Sequence, residues 1–380
     1  MRREDLALSE EQLLLRRSAR RFLQDNCPYA AVAELEESEQ GYSPALWRQI
    51  ADLGWTGLVF PEDAGGQGGN LLGLMVLCEE MGRALFPSPY FASIVLGGLS
   101  VLEAGSDAQR RRLLPSLASG EKIASLGLLE ETNTYEARGV RTRAERRSRH
   151  WVLNGTKVLV DFARAADWIV CVARSAESEP PERGVGLFIV DAHAPGVEVT
   201  GLANVAGAKL GAVELRDVAV PDDEVLGAAD GGWPSLQRSL AKATIAQCAQ
   251  IVGACERIVD MCVQYAQERV QYGQPIGVHQ AMQWKCVDMV RSIHQARVLT
   301  HMAAAALNDG EDAPLDVSMA KVAASQAARS CAYEGHQIFS GTGHLMDHHL
   351  QLYSRRLKAM ELSLGDADYH LEKVAQALGL

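Results

Sequence analysis

The spacing of apolar residues changes twice along this chain of 380 residues. Up to about residue 120, apolar residues recur at the three- and four-residue intervals of amphipathic helices. Ser9 and Gln12 fit a capping box at a helix start, and Asn70 can cap a helix over Leu71–Leu85 after a glycine-rich loop. The first third of the chain is therefore predicted to be helical.

From about residue 122 the pattern becomes the alternation of β-strands. Trp151–Val160 contains Asn154-Gly155, a strong signal for a two-residue hairpin turn, and so predicts two short strands. Pro, Gly and Asp separate four further apolar runs, Trp168–Val172, Val185–Val190, Val197–Thr200 and Val213–Val220. Because no segment of helical length lies between them, we expect a small antiparallel barrel or sandwich and not alternating strands and helices.

After Gly231-Gly232 the helical pattern returns over long segments. These are Leu236–Arg269, Val278–Leu307, Val317–Phe339 and, roughly, Leu350–Leu362. Such lengths favour an up-down four-helix bundle. The whole pattern predicts an α+β protein of three domains: an N-terminal helical domain over 1–120, a β domain over 121–229 and a C-terminal helical bundle over 230–380.

Composition narrows the class of protein. Hydrophobic residues make up 47% and charged residues 22% of the chain, as in ordinary soluble proteins. No run of 18 or more apolar residues predicts a membrane span, and Met1–Asp5 lacks the apolar run of a signal peptide, so we expect a cytoplasmic protein. The net charge of −11 argues against nucleic acid as the main partner.

The corner at Tyr265–Gly277 carries the most informative residues. Tyr272-Gly273 and Pro275 interrupt a long helix, since Gly permits positive φ and Pro stops a helix. An arginine at a helix end that faces a glycine turn, here Arg269, is suited to clamp a pyrophosphate. The segment resembles the flavin signature of the acyl-CoA dehydrogenase family, Tyr…Arg-x-x-Phe-Gly-x-x-Ile…Gln.

A second segment supports the resemblance. Gln337-Ile338-Phe339-Ser340-Gly341-Thr342-Gly343 is similar to the family's Gln-x-x-Gly-Gly-x-Gly loop, in the family's order and at about its spacing. The resemblance implies FAD as the cofactor. It carries over, as cofactor-binding residues, Arg269, Gln271, Tyr272, His279, Gln280, Gln337 and Gly341. A plain helix cap explains His279 equally well.

The resemblance covers essentially the whole chain and implies what the protein does. In the family a carboxylate takes the α proton of an acyl-CoA thioester while the β hydrogen leaves as hydride to flavin, and hydrogen-bond donors stabilise the enolate oxygen. Electron-transfer flavoprotein is the implied electron acceptor, and the bundle drives tetramer assembly. The flavin lies between subunits, with its ring in one barrel and its adenine and pyrophosphate against the neighbour's bundle.

The family's catalytic base is missing from both of its usual positions. Leu364, before Gly365, stands at one position and Ala243, ten residues before Gly253, at the other. Glu361 and Asp366 are candidate substitutes for the base. The alternative is that Glu361 pairs with Lys358 and that Asp366 caps the last helix.

The barrel half of the flavin site also departs from the family. The segment from Leu128 to Tyr135 stands where the family has Thr-Glu-Pro-x-x-Gly-Ser-Asp, and Leu159-Val160-Asp161 replaces the family's Trp-Ile-Thr. A negative charge at Asp161 would disfavour reduced, anionic flavin.

These departures favour a subunit that lacks a base and completes the FAD site of a second acyl-CoA dehydrogenase-like subunit. Heterotetrameric enzymes acting on steroid side-chain thioesters in actinobacteria have unequal subunits of this kind. One alternative is a self-sufficient homotetramer with a relocated acid. Another is a non-enzymatic binding protein on the same fold, against which the acidic charge and the absence of a basic C-terminal extension weigh.

Three smaller features complete the sequence analysis. The basic cluster Arg138–Arg149 is predicted to be a solvated hairpin loop, with contact to coenzyme A phosphates as the alternative. His344 and His348 have the i, i+4 spacing of metal ligands, but we expect no metal. The eight cysteines contain no CxxC pair and are expected to be buried core residues in a reducing compartment.

Overall fold

A computed structural model describes residues 8–380 as two compact units. One unit comprises Asn70–Phe86, Thr244–Leu380 and the described part of Met1–Glu34. The other comprises Leu35–Gly69 and Pro87–Ala243. Helix α7 is continuous through residue 243, so each unit contains part of it.

The first unit is mostly helical. It contains helices α1 (Glu10–Asn26), α4 (Leu71–Ala84), α8 (Gln280–Asn308), α9 (Pro314–Phe339), α10 (His349–Leu362), α11 (Ala367–Ala377), the start of α2 (Tyr29–Glu37) and most of α7 (Trp233–Glu268). The capping box at Ser9 and the cap at Asn70 are both present. Each of these side chains accepts a hydrogen bond from the backbone N–H of the residue three positions later. Apolar residues of α7, α8, α9 and α10 share one core, which confirms the predicted bundle.

Helices α4 and α7 approach each other at two glycines. A Cβ at Gly253 would lie 1.8 Å from the carbonyl oxygen of Glu79, and a Cβ at Gly82 would lie 2.0 Å from that of Gln250. Both obstacles are backbone atoms, which cannot turn aside as a flexible side chain can. These glycines therefore set the distance between the two helices.

Gly253→Ala is expected to destabilise the protein by about 1–3 kcal/mol or more, although alanine is the better helix former by ~1 kcal/mol. The added methyl group must push α7 away from α4, which opens the core along both helices. The urea midpoint at fixed protein concentration measures the effect. Gln267→Ala, at an exposed position of α7, is the matched control. An unchanged midpoint for Gly253→Ala would contradict the close approach.

Four helices of this unit are also joined by buried charges. Arg297 of α8 lies 3.2 Å from Glu79 of α4 and 2.6 Å from Glu256 of α7, and Arg16 of α1 lies 3.7 Å from Glu79. Burial would raise the pKa of Glu79, but Arg297 and Arg16 outweigh it and hold that pKa below its ordinary value. The two cations therefore keep Glu79 ionised in the core.

The second unit combines helices with one sheet. Its helices are the rest of α2 and α7, α3 (Pro44–Asp52), α5 (Leu99–Ala104) and α6 (Asp107–Ala118), with a π-helical stretch over Phe91–Gly98. Its strands are β1 (Ala124–Gly127), β2 (Arg143–Arg147), β3 (His150–Asp161), β4 (Trp168–Arg174), β5 (Val185–Asp191), β6 (Val197–Leu202), β7 (Leu210–Pro221) and β8 (Val225–Leu226). In the first unit, β9 (Val270–Gln271) and β10 (Gln274–Pro275) form a separate hairpin.

The sheet runs in the order β6-β7-β3-β2-β4-β5-β8. Its ladders are antiparallel except that β1 joins β4 in parallel and β2 meets β4 at a single parallel pair, Arg143 and Arg174. The β domain expected from the sequence is therefore confirmed, with these two parallel contacts added to its antiparallel ladders. The basic cluster is only partly a loop, because Arg143–Arg147 forms β2.

The predicted hairpin at Asn154-Gly155 was wrong, because β3 is one continuous strand. Asn154 donates from Nδ2 to Asp217 Oδ1 at 3.1 Å and accepts from the Asp217 N–H at 2.8 Å, so it is held by β7. Gly155 has φ 152°, and a Cβ there would lie 2.6 Å from Thr142 Oγ1. The two residues therefore form a bulge where the register with β7 shifts, and the glycine allows a close approach of backbone.

Candidate active site

The corner after α7 is a tight hairpin. Strands β9 and β10 pair around Tyr272 and Gly273, whose φ angles of 55° and 80° are those of a type I′ turn. The helix ends at Glu268, and the Arg269 N–H donates to the Tyr265 carbonyl at 2.8 Å. Arg269 is exposed, and no carboxylate of residues 8–380 forms an ion pair with it. Its guanidinium is therefore available to an anion.

The start of α8 lies directly after this hairpin. His279 occupies the N-cap position, and Gln280 is the first residue of the helix and is exposed. The His279 side chain makes no capping hydrogen bond, and its Nε2 is a buried atom without a partner among the described residues. For His279, contact with a cofactor is therefore favoured over a plain helix cap, because buried polar atoms rarely stay unpaired.

The ends of α7 and α9 are neighbours. The rings of Tyr265 and Phe339 stack with centroids 4.5 Å apart. Gln337 lies exposed in the last turn of α9, and the loop that follows holds Gly341, where an added Cβ would meet nothing within 4 Å. Arg269, one turn after Tyr265, and Gln337 therefore belong to the same end of the bundle. Gln271 is exposed on β9, and its side chain donates from Nε2 to the Val270 carbonyl at 2.8 Å.

Ser340 stands where the family loop has a glycine, and it keeps the backbone of one. Its φ of 53° and ψ of −143° lie in a region that is almost restricted to glycine. Beside it, the rings of His336 and His344 stack at 4.2 Å, and burial lowers the pKa of His336. His348 accepts the Leu350 N–H through Nδ1 as the cap of α10. Among residues 8–380 no group of three His, Cys, Asp or Glu side chains is arranged to hold a metal.

The turn that would carry the base keeps an unusual backbone. Leu364 is 9% exposed and has φ 57°, and Gly365 has φ 90°. A Cβ at Gly365 would lie 2.3 Å from Tyr369 Cδ1, so only glycine fits there. His370 donates from Nε2 to the Leu364 carbonyl at 2.9 Å. Burial lowers the pKa of His370 to about 4, which keeps the ring neutral.

A hydrogen-bonded chain holds the other side of this turn. Lys321, whose side chain is fully buried, donates to Gln247 Oε1 at 2.7 Å and to the Met360 carbonyl at 2.6 Å. Gln247 donates in turn to Ser363 Oγ. Burial lowers the pKa of Lys321 to about 8. Sequence reasoning missed Lys321 and Gln247, because a lysine within a helical pattern resembles any surface lysine.

Both candidate substitutes for the base are engaged in other contacts. Glu361 is 2% exposed and forms ion pairs with Arg329 and Lys358, one on each oxygen. Asp366 caps α11 by accepting the Tyr369 N–H at 2.9 Å. Ala243 is fully buried on α7 and carries no proton acceptor.

In the second unit, the residues compared with the family's Trp-Ile-Thr segment have few side-chain donors. Leu159 has φ 54° and is 43% exposed at the end of β3. Asp161 follows, its carbonyl accepting the Ser125 hydroxyl, and burial raises the pKa of its carboxyl group to about 6. Near neutral pH this carboxyl group is mostly ionised, and it then accepts hydrogen bonds only.

Glu130, in the segment compared with Thr-Glu-Pro, belongs to a buried ion pair. Lys157 is fully buried and donates from Nζ to Glu130 Oε1 at 2.6 Å. Thr142 donates to the same oxygen from its N–H at 2.9 Å and its hydroxyl at 2.8 Å. Burial would raise the pKa of Glu130, but Lys157 outweighs it and holds that pKa below its ordinary value. Glu130 therefore joins β3 to the residue just before β2 and is not free to meet a ligand.

Comparison with known proteins identifies the family of each domain. The described sequence matches the family models "Acyl-CoA dehydrogenase, N-terminal domain" over residues 9–121, "middle domain" over 125–218 and "C-terminal domain" over 230–379. The acryloyl-CoA reductase (NADH) of Anaerotignum propionicum is 29% identical, over 99% of this chain and 96% of that protein.

Two solved structures are similar over nearly their whole length. The ChsE4–ChsE5 complex of Mycobacterium tuberculosis superposes with a TM-score of 0.89 at 26% identity, covering 98% of each chain. The Tcur3481–Tcur3483 steroid ACAD, solved as a variant, has a TM-score of 0.88 at 28% identity, covering 97% of this chain and 98% of that one. With all three domains matched in order, the chain belongs to the acyl-CoA dehydrogenase family of FAD-dependent oxidoreductases.

Proposed function

We propose that this chain is the subunit without a catalytic base in a heteromeric acyl-CoA dehydrogenase. It completes the FAD site of a partner subunit that carries the glutamate. The observation that carries the proposal is the turn at Leu364 and Gly365. Its backbone is held on both sides by His370, Lys321 and Gln247, yet the residue it presents has no proton acceptor.

The state of the two substitute acids supports this proposal over a self-sufficient enzyme. A general base needs a lone pair within reach of the proton it removes. The oxygens of Glu361 already accept from Arg329 and Lys358, and Asp366 is engaged at the start of α11. Using Glu361 as the base would therefore break an ion pair, and using the Asp366 oxygen that caps α11 would break that cap.

The residues at the end of the bundle fit a flavin pyrophosphate and adenine. Arg269 has an uncommitted guanidinium, His279 has an orphaned buried nitrogen, and Gly341 leaves open space for close approach of a ligand. We place Gln271, Tyr272, Gln280 and Gln337 in the same contact. An arginine–phosphate pair is charge-assisted and therefore the strongest single contact in this set.

The β domain fits the flavin ring poorly. The bound ring would accept hydride from the substrate, and the protein would have to stabilise the charge that follows with donors. Leu159 supplies no donor, and ionised Asp161 would repel that charge. One half-site fits and the other does not, as expected for a chain that serves its partner's cofactor.

The two heteromer-related structures support the choice of assembly and substrate class. The ChsE4–ChsE5 structure is a complex by name, and the Tcur3481–Tcur3483 protein is named as a steroid ACAD. We propose a steroid side-chain acyl-CoA thioester as substrate, a second acyl-CoA dehydrogenase-like chain and electron-transfer flavoprotein as partners, and a cytoplasmic location. Within residues 8–380 no helix is both long and apolar enough to cross a membrane.

Arg269→Ala is expected to lower the flavin content of the assembly purified with its partner. Losing a charge-assisted contact of about 1.5–3 kcal/mol weakens flavin binding by roughly 10- to 150-fold. Flavin absorbance per mole of protein, measured after dilution and gel filtration, reports the loss. Arg111→Ala, at an exposed arginine of α6, is the control and should keep its flavin.

The same measurement on the chain purified alone separates the two kinds of assembly. We expect little bound flavin without the partner. If Arg269→Ala keeps full flavin in the assembly, the pyrophosphate contact is wrong. If the chain alone holds one flavin per subunit, the partner role is wrong.

A further inference from the structure

A cavity lies in the first unit, lined by residues that the proposed reaction does not use. It has a volume of about 240 Å³ and is enclosed by α1, the start of α2, α4, α7 and α10. At ~30 Å³ per water in the liquid, this volume corresponds to roughly eight waters. The cavity is therefore large enough for a small organic molecule.

The floor of this cavity is apolar. Leu23, Val32, Leu85 and Leu352 line it, and each is at most 4% exposed. Cys27 adds a thiol whose pKa burial raises to about 12, so it stays protonated and uncharged. Water in contact with such a floor is readily displaced by a hydrocarbon group.

One wall carries an arginine that has no carboxylate partner. Arg257 of α7 is half-buried, and no carboxylate of residues 8–380 forms an ion pair with it. The other two arginines of the lining are neutralised, Arg20 by Glu80 at 2.7 Å and Arg83 by Glu256 at 3.6 Å. A half-buried guanidinium without a counter-charge is costly, and an anion bound beside it would offset that cost.

The surroundings of Arg257 suit a ligand that accepts hydrogen bonds and not a second cation. Tyr353 accepts a hydrogen bond from Arg257, and its own hydroxyl proton is donated to the Arg83 carbonyl at 2.6 Å. Burial lowers the pKa of His349, and Arg257 adds to the effect, so this imidazole is neutral. The His349 ring stacks on Tyr29 with centroids 3.8 Å apart, which forms a flat aromatic edge to the cavity.

We propose that this cavity binds a small organic carboxylate with a short apolar body. The carboxylate pairs with Arg257, and the apolar body lies over Leu23, Val32 and Leu352 against the Tyr29–His349 edge. The cavity lies wholly within the first unit, so the proposal does not depend on where the acyl-CoA thioester binds.

Isothermal titration of the assembled protein with sodium benzoate and sodium hexanoate tests the proposal. Benzamide and hexanamide have the same shape without the charge, and acetate has the charge without the body. We expect benzoate and hexanoate to bind at least about tenfold more tightly than any of these three, because only they use both parts of the site. Sodium chloride at matched concentration is the salt control.

Arg257→Gln is expected to abolish the difference between benzoate and benzamide, whereas Arg257→Lys retains part of it. Arg48→Gln, at an exposed arginine of α3, should bind like the unchanged protein. If Arg257→Gln unfolds, the ligand comparison on the unchanged protein still decides the question. Equal binding of carboxylates and amides, or undiminished benzoate binding by folded Arg257→Gln, would overturn the assignment.

Discussion

Purified without a partner, the chain is expected to oxidise acyl-CoA thioesters roughly 10²- to 10⁴-fold more slowly than an assembly with a glutamate-bearing chain. This corresponds to about 3–5 kcal/mol of transition-state stabilisation. Leu364 and Ala243 cannot accept the α proton, and Glu361 and Asp366 are engaged in other contacts.

The measurement is reduction of an artificial electron acceptor over a panel of acyl-CoA thioesters that includes steroid side-chain thioesters. Bound flavin is quantified in the same samples, because an empty site and a missing base both lower turnover. Fast turnover and full flavin in the chain alone would overturn the partner role. In that event, Glu361→Gln and Asp366→Asn identify the base, since the variant that removes it loses turnover while keeping flavin.

Arg297→Met is expected to destabilise the protein by about 3–5 kcal/mol at neutral pH. The change leaves Glu79 and Glu256 in the core without the cation that lies between them. The urea midpoint at fixed protein concentration measures the loss. Arg291→Met, at an exposed position of α8, is the control. A loss below ~1 kcal/mol would show that other groups neutralise Glu79.

The pH dependence of this loss has a definite sign. Because the folded-state pKa of Glu79 is held below 4.5, its stabilising contribution is complete above pH 4.5 and is lost as pH falls through the folded-state pKa. In Arg297→Met the buried Glu79 takes up a proton more readily, which relieves the unpaired charge. The difference in stability between the two proteins should therefore shrink on acidification, and a constant difference would contradict this account.

The sequence predicted those parts of the fold that depend on local signals. Capping at Ser9 and Asn70 and the glycine turn at Tyr272-Gly273 each leave a mark within a few residues. The hairpin prediction at Asn154-Gly155 was wrong because the conformation of this dipeptide is determined by its contact with Asp217 on a distant strand. The Asn-Gly preference for turns is a tendency of the isolated segment, and pairing on both sides of β3 overrides it.

The candidate site shows the same difference between residues marked by local signals and residues that depend on distant contacts. Residues with a motif, such as Arg269 and Gln337, could be named from their spacing. Lys321 and Lys157 could not, because their importance arises from partners far away in the sequence, at Met360 and Glu130. Burial of a lysine cannot be read from one sequence, in which a lysine on a helix or strand usually faces solvent.

Lys321, Gln247 and His370 hold the backbone of the 360–365 turn. The shape of this turn therefore does not depend on the chemistry of the side chain at position 364. The bonds that Lys321, Gln247 and His370 donate to the turn end on the carbonyls of Met360 and Leu364 or on Ser363, not on the side chain of Leu364. A scaffold built in this way tolerates exchange of the residue at its tip without refolding. After duplication of such a chain, one copy can therefore keep the catalytic glutamate, while the other keeps only the surface that completes the first copy's FAD site.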